Sequence, residues 1–182
     1  MIKTFIVSGS GGQGVISFGN ILANIFMLND MFVSLCSSYG AEVRGGAVNC
    51  EINVSDQELL CIQNEKVDFV VAMNQTSFNK FISKVKKNGT IIVNSSLAKI
   101  QKTRDDIKYI FAPLTEDAQK IGSIKIANSI ALGILSKILG NFSFDNVKRV
   151  YEKVLKDKKE LVQKNLEAYK MGLEFAIEKE TN

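Results

Sequence analysis

The first thirty residues restrict this chain more than anything that follows them. Residues 2–8, IKTFIVS, form a short apolar run rich in β-branched and aromatic side chains, which predicts a strand. A glycine loop comes next: Gly9-Ser10-Gly11-Gly12-Gln13-Gly14. Val15 to Leu28 then places apolar residues at Ile21, Leu22, Ile25, Phe26 and Leu28, which is helical spacing. Strand, glycine turn and helix open a βαβ unit, so the expected fold is α/β.

The remaining pattern extends that unit. Residues 32–36, FVSLC, read as a second strand. From 47 to 54, Val48, Cys50, Ile52 and Val54 alternate with Asn49, Glu51 and Asn53. A period of two with one polar face predicts a half-exposed strand, near a sheet edge or antiparallel. Ser55-Asp56 reads as a turn and Leu59 to Ile62 as a short return strand. VDFVVAM (67–73) and TIIVN (90–94) are continuous apolar runs, as buried parallel strands are. Between them a helix is expected over about 75–87, with Lys84, Lys86 and Lys87 before the stop at Asn88-Gly89. KYIFA (108–112) is one more strand, closed by the only proline, Pro113. Thr115 can cap a short helix ending at Gly122, and Ile126 to Leu139 predicts an apolar helix ending at Gly140. Two charged helices finish the chain. In the last, Val162, Leu166, Tyr169, Leu173 and Ala176 share one face, so it should lie on the domain surface. The expected architecture is a Rossmann-like three-layer αβα sandwich with a mostly parallel sheet. It forms a single domain over 1–182, with an α/β core to about 125 and a helical cover over about 126–182.

Composition removes several function classes. At 182 residues the chain is long enough for one well-filled domain. Its net charge of +4 comes from lysines interleaved with acids, too weak a field to suggest nucleic acid. There is no histidine, so the commonest general base and transition-metal ligand are missing. Cys36, Cys50 and Cys61 match no metal or cluster spacing and read as buried thiols in a reducing compartment. No targeting run or membrane-spanning stretch is visible, and a cytoplasmic location is expected.

The glycine loop is the first candidate site. Gly9, Gly11 and Gly14 fit GxGxxG between strand and helix. Such a loop lets another group approach the backbone, and the helix start offers free N–H groups at a positive dipole end. The second strand ends Leu35-Cys36-Ser37-Ser38 without the acid that an NAD ribose needs, and Asp30 is wrongly placed for it. No lysine follows in the pattern of a P-loop. An anion, another protein chain or a purely structural turn remain as readings of the loop.

The second candidate is Tyr39 to Gly46, the start of the stretch YGAEVRGGAVNCEINV, residues 39–54. Arg44 either pairs locally with Glu42 above a Gly45-Gly46 turn, or lies beside the glycine loop at the carboxyl ends of the strands. There it could grip a phosphate or carboxylate with two parallel hydrogen bonds. The first sixty residues hold seven charged side chains and the last 38 hold seventeen. A charge-poor half rich in glycine loops is expected to be covered by something.

GSGGQG after the first strand, SYGAEVRGG after the second, VAMNQ at the end of a later strand and NSIALG in a carboxyl-terminal helix together resemble one family. It is the gamma subunit of the 2-oxoacid:ferredoxin oxidoreductases. The likeness runs from about residue 2 to 140 and weakens beyond. YGxExRGG is most like the 2-oxoglutarate branch; Ala41 stands where the family often has proline. The resemblance implies a division of labour. Thiamine diphosphate, with Mg2+, is held by alpha and beta subunits. The 4Fe-4S clusters sit on beta, on a ferredoxin-like delta subunit, or on both. Ferredoxin takes the electrons, and coenzyme A is a substrate. The gamma subunit binds none of these cofactors alone, holds no catalytic residue or metal, packs on alpha and assists the coenzyme A step. Its ligand- or partner-facing residues would be Gly9, Gly11, Gly12, Gln13, Gly14, Tyr39, Glu42, Arg44, Gly45, Gly46, Asn74, Gln75 and Asn128. Asn74 could equally be a helix cap and Asn128 a satisfied core amide. The rival reading is a free-standing Rossmann-like module that holds a nucleotide by itself.

Overall fold

A computed structural model describes residues 2–39, 47–59, 64–140, 142–156 and 158–175. The strands are β1 Ile2–Ser10, β2 Phe32–Tyr39, β3 Ala47–Ser55, β4 Val67–Ala72, β5 Val85–Asn94 and β6 Lys108–Ala112. The helices are α1 Val15–Met27, α2 Gln75–Phe81, α3 Leu114–Lys120, α4 Ala127–Leu139, α5 Phe144–Leu155 and α6 Lys159–Glu174. One six-stranded sheet has the order β2-β3-β1-β4-β5-β6. β1, β4, β5 and β6 are parallel, as the continuous apolar runs of β4 and β5 predict for those two. β3 is antiparallel to both neighbours.

The alternating strand is therefore antiparallel, but it is not at the edge; β2 is. Residues 40–46 join β2 to β3, and seven residues are too few for a crossover, so the two strands pair head to tail. The alternation survives inside the sheet because only one face is apolar. Cys50, Ile52 and Val54 pack with Phe18, Ile21 and Leu22 of α1. The opposite face carries Asn49 and Glu51 beside Cys36, Ser38, Lys80 and Lys84. Most of the expected return strand, Leu59 to Ile62, lies outside the described residues.

The helix expected over 75–87 is shorter. α2 stops at Phe81, one 3-10 turn spans Ile82–Lys84, and β5 already begins at Val85. Tertiary partners override the helical pattern. The Arg104 guanidinium donates to the carbonyls of Ile82 (2.9 Å) and Val85 (2.8 Å), and Lys86 Nζ reaches the Asp68 carboxylate at 2.8 Å. Thr115 does not cap α3. The helix starts at Leu114, and the Thr115 hydroxyl accepts from Asn94 Nδ2 at 2.8 Å while its own N–H donates to Asn94 Oδ1 at 3.3 Å. Gly122 and Gly140 close their helices at positive φ, as expected.

Two apolar clusters flank the sheet, one under α1 and α4–α6, the other under α2. α4 is buried all round from Ala127 to Ser136, so it needs cover on its outer side. α6 supplies it, burying Val162, Leu166 and Tyr169. The α6 face continues in Leu173, while Ala176 lies outside the described residues. Among the described residues no helix is long and apolar enough to cross a membrane.

Candidate functional site

The glycine loop is built where the parallel strands end. β1 runs straight into it, and Gly9 has no room for a side chain: a Cβ would come within 2.9 Å of Val15 and 3.0 Å of Met73. Gly12 and Gly14 hold φ of 90° and 71°, a region that favours glycine. Gln13 folds back as a brace. Its Oε1 accepts from Ser10 N–H (2.7 Å) and from Asn74 Nδ2 (2.9 Å), and its Nε2 donates to Met73 O at 3.2 Å. Asn74 does two things at once. Its Oδ1 caps α2 by accepting from Ser77 N–H at 2.9 Å, and its Nδ2 also donates to Ser10 Oγ at 2.9 Å. Gln13 and Asn74 are thus spent on the shape of the loop.

The result is an open helix end. α1 starts at Val15 after Gly14, and among the described residues no side chain caps it. Unpaired first-turn N–H groups with the helix dipole behind them attract an anion. This end faces a cleft of about 420 Å3. One wall is Ser10, Gly11, Gly12, Gly14, Tyr39 and Val48; the other comes from Lys125, Ile126, Asn128, Tyr151, Leu155, Leu161 and Asn165. Among the described residues, Lys125 carries the only formal charge in that lining. The cleft is therefore mainly apolar with a positive end, suited to a ligand with an anionic group and an apolar body.

Asn128 stitches the two walls together. Its Nδ2 donates to Gly14 O at 3.2 Å, across 114 residues of sequence. The residue is 5% exposed, and its Oδ1 is the buried side-chain atom that has no hydrogen-bond partner among the described residues. The half-satisfied amide departs from the satisfied core amide that was one reading of it. Behind the wall a buried chain holds the helices in register. Tyr151 OH donates to Ser129 Oγ (2.7 Å), Ser129 Oγ to Asn165 Oδ1 (2.6 Å), and Asn165 Nδ2 to Leu161 O (2.7 Å). Burial pushes the Tyr151 phenol well above its ordinary pKa, the Ser129 hydrogen bond opposing this, so the phenol stays protonated.

Other expected residues fall differently. Tyr39 is 71% exposed at the rim of the cleft. Gln75 is apart from it, hydrogen-bonded to Asn79 at 3.0 Å on its own helix. Glu42, Arg44, Gly45 and Gly46 lie outside the described residues. The strands on either side end at the glycine loop, Ala47 pairing with Ser10 and Tyr39 with Val48. Lys125, Tyr151, Leu155, Leu161 and Asn165 were not expected from the sequence. Lys125 stands in a 3-10 turn, Ile124–Ile126, and the others in the helices α5 and α6; only tertiary packing brings them to the loop. Among the described residues no three His, Cys, Asp or Glu side chains converge as a metal site would require. Cys50 is buried against α1, and burial raises its thiol pKa despite a hydrogen bond from Ser37.

The family model for pyruvate ferredoxin/flavodoxin oxidoreductase matches residues 4–175. The chain belongs to this family. It is 31% identical to the 2-oxoglutarate synthase subunit KorC of Methanothermobacter thermautotrophicus, over 97% of this chain and 96% of that protein. Its fold superposes on the gamma subunit of a keto/oxoacid ferredoxin oxidoreductase from Geobacter sulfurreducens, with TM-score 0.80, 26% identity, and 94% and 96% of the two chains covered. It also matches the 2-oxoglutarate:ferredoxin oxidoreductase of Magnetococcus marinus, solved with 2-oxoglutarate, coenzyme A and succinyl-CoA bound, with TM-score 0.85 and 26% identity. The match covers 95% of this chain but spans only 30% of that longer one. The family's subunits are parts of oxidoreductases, and this chain is one of them, of the gamma type.

Proposed function

We propose that this chain is the gamma subunit of a cytoplasmic 2-oxoglutarate:ferredoxin oxidoreductase, and that its glycine-loop cleft serves the coenzyme A step. In this reading the alpha and beta subunits, with or without a ferredoxin-like delta subunit, hold thiamine diphosphate, Mg2+ and the 4Fe-4S clusters. Those groups supply the decarboxylation and the electron path to ferredoxin. The present chain binds and positions. It acts as one domain over 1–182, because the cleft needs a wall from the α/β core and another from the helical cover. Arg44, on the connection between β2 and β3, would add a guanidinium for a phosphate or for the alpha subunit.

The observation that carries this reading is the N-terminus of α1, uncapped among the described residues, at the head of a mainly apolar cleft whose one charge among those residues is positive. The Magnetococcus relative, bound to coenzyme A and succinyl-CoA, supports the choice of ligand. Gly11→Asp in the assembled complex tests it. A Cβ at Gly11 meets nothing within 4 Å, so the fold tolerates the change while a carboxylate enters the anion site. The KM for coenzyme A should rise about tenfold or more, the loss of a charge-assisted contact, with the KM for 2-oxoglutarate unchanged. An unaltered KM for coenzyme A would overturn the proposal.

A further inference from the structure

Asn128 stands in the first turn of α4 and is 5% exposed. Its Nδ2 is used, donating to Gly14 O at 3.2 Å. Its Oδ1 has no donor among the described residues. A buried acceptor that has given up water without a donor in return asks for a partner from outside the chain. The bond to Gly14 fixes where that acceptor stands. Gly14 immediately precedes α1, and Asn128 and Gly14 both line the cleft. The unpartnered oxygen therefore lies beside the open helix end.

The two features ask for different groups. The helix start attracts an anion, and the amide oxygen needs an O–H or N–H. An ionised phosphate alone satisfies the first and opposes the second, since two oxygens without a proton between them repel. The ligand must carry a donor a few bonds from its anionic group. Beyond that point the walls are apolar, with Ile16, Ile21, Val48, Ile126, Leu155 and Leu161. We infer that Asn128 determines specificity by reading the pantetheine arm of coenzyme A, its Oδ1 accepting from the pantoyl hydroxyl or the amide N–H next to it. This rests on the coenzyme A reading above and deepens it. The pantoyl hydroxyl follows the pyrophosphate by a few bonds, and the carbon between them carries paired methyl groups that suit the apolar walls. The nucleotide half also has a ribose hydroxyl, but its second phosphate and polar base do not match walls whose one charge, among the described residues, is Lys125.

The test compares coenzyme A with 3′-phospho-ADP, the nucleotide half without the arm, as a competitive inhibitor of the assembled complex. Asn128→Leu should raise the KM for coenzyme A about tenfold or more, with the Ki of 3′-phospho-ADP and the KM for 2-oxoglutarate unchanged. Asn128→Ala, which adds no bulk, is measured beside it in case the leucine variant does not assemble. An equal rise for coenzyme A and 3′-phospho-ADP would show that Asn128 shapes the loop or serves the nucleotide half, and overturns the inference. So does an unchanged KM for coenzyme A. Gly11→Asp, by contrast, should weaken both ligands. If it does while the Asn128 variants behave like the native complex, this inference alone is wrong; if it leaves the KM for coenzyme A unchanged, the coenzyme A reading falls as well.

Discussion

Gly133→Ala probes how the helical cover is held on the core, through a change whose sign is decisive. α4 and α6 cross at a glycine pair. A Cβ on Gly133 would lie 2.2 Å from the carbonyl oxygen of Tyr169 and 2.9 Å from Gly172 Cα; a Cβ on Gly172 would lie 2.1 Å from Ile130 O. Every one of these obstacles is backbone, so no side chain can rotate away. Restoring ordinary contact at about 3.5 Å requires the helices to part by roughly 1 Å. Overpacking of this kind costs about 1–3 kcal/mol, and a rigid backbone obstacle places it at the upper end. Alanine within a helix opposes this with a gain of about 1 kcal/mol over glycine. The net loss should be about 2 kcal/mol, or about 4–8 °C in Tm for a chain of this size. Urea and thermal unfolding of the purified chain measure it, with Gln163→Ala on the exposed face of α6 as a control, expected to change stability by no more than about 0.5 kcal/mol. If Gly133→Ala is instead neutral, or stabilises by about 1 kcal/mol as propensity alone predicts, the close crossing is refuted.

Three further expectations follow from the hydrogen bonds. Asn74→Ala should lose about 2 kcal/mol in denaturation, a helix cap plus two loop bonds, whereas Asn74→Asp keeps the cap and should recover about half of it; equal losses would show that the cap is irrelevant. Tyr151 and Tyr169 have phenols raised above the ordinary value, chiefly by burial. Their contribution is complete below about pH 10 and falls above it, where the unfolded phenols ionise and the folded ones do not. Tyr151→Phe should flatten this alkaline loss in a Tm-against-pH series, and an unchanged slope would refute the assignment. Burial tends to raise the Asp68 carboxyl, but hydrogen bonds from Lys86 and Thr4 outweigh it and hold the pKa low. That stability is present above about pH 4 and lost as pH falls. Asp68→Asn should therefore be less stable at neutral pH and less sensitive to acid in the same series.

Much of this protein could be read without coordinates. The strand–glycine–helix opening, the parallel runs at β4 and β5, and the glycine stops at Gly122 and Gly140 are local matters, settled by periodicity and by the backbone freedom of glycine. The loop at Gly9 to Gly14 was legible for the same reason, and Asn74 and Asn128 do converge on it. What local pattern could not supply was arrangement. Lysines at 84–87 look like a helix end until Arg104 and Asp68, distant in sequence, claim that stretch for β5. Gln75 has the same polar character as Asn74, yet the turn of α2 points it elsewhere. The far wall of the cleft, with Lys125, Tyr151, Leu161 and Asn165, exists only because α4 to α6 fold back over the ends of the strands. The sequence by itself determined most of the elements and the glycine loop with its helix start, because hydrogen-bond geometry and side-chain period act over a few residues. Only the tertiary structure decided which side chains share the cleft, because packing a helical cover joins residues more than a hundred positions apart, and no local period records that.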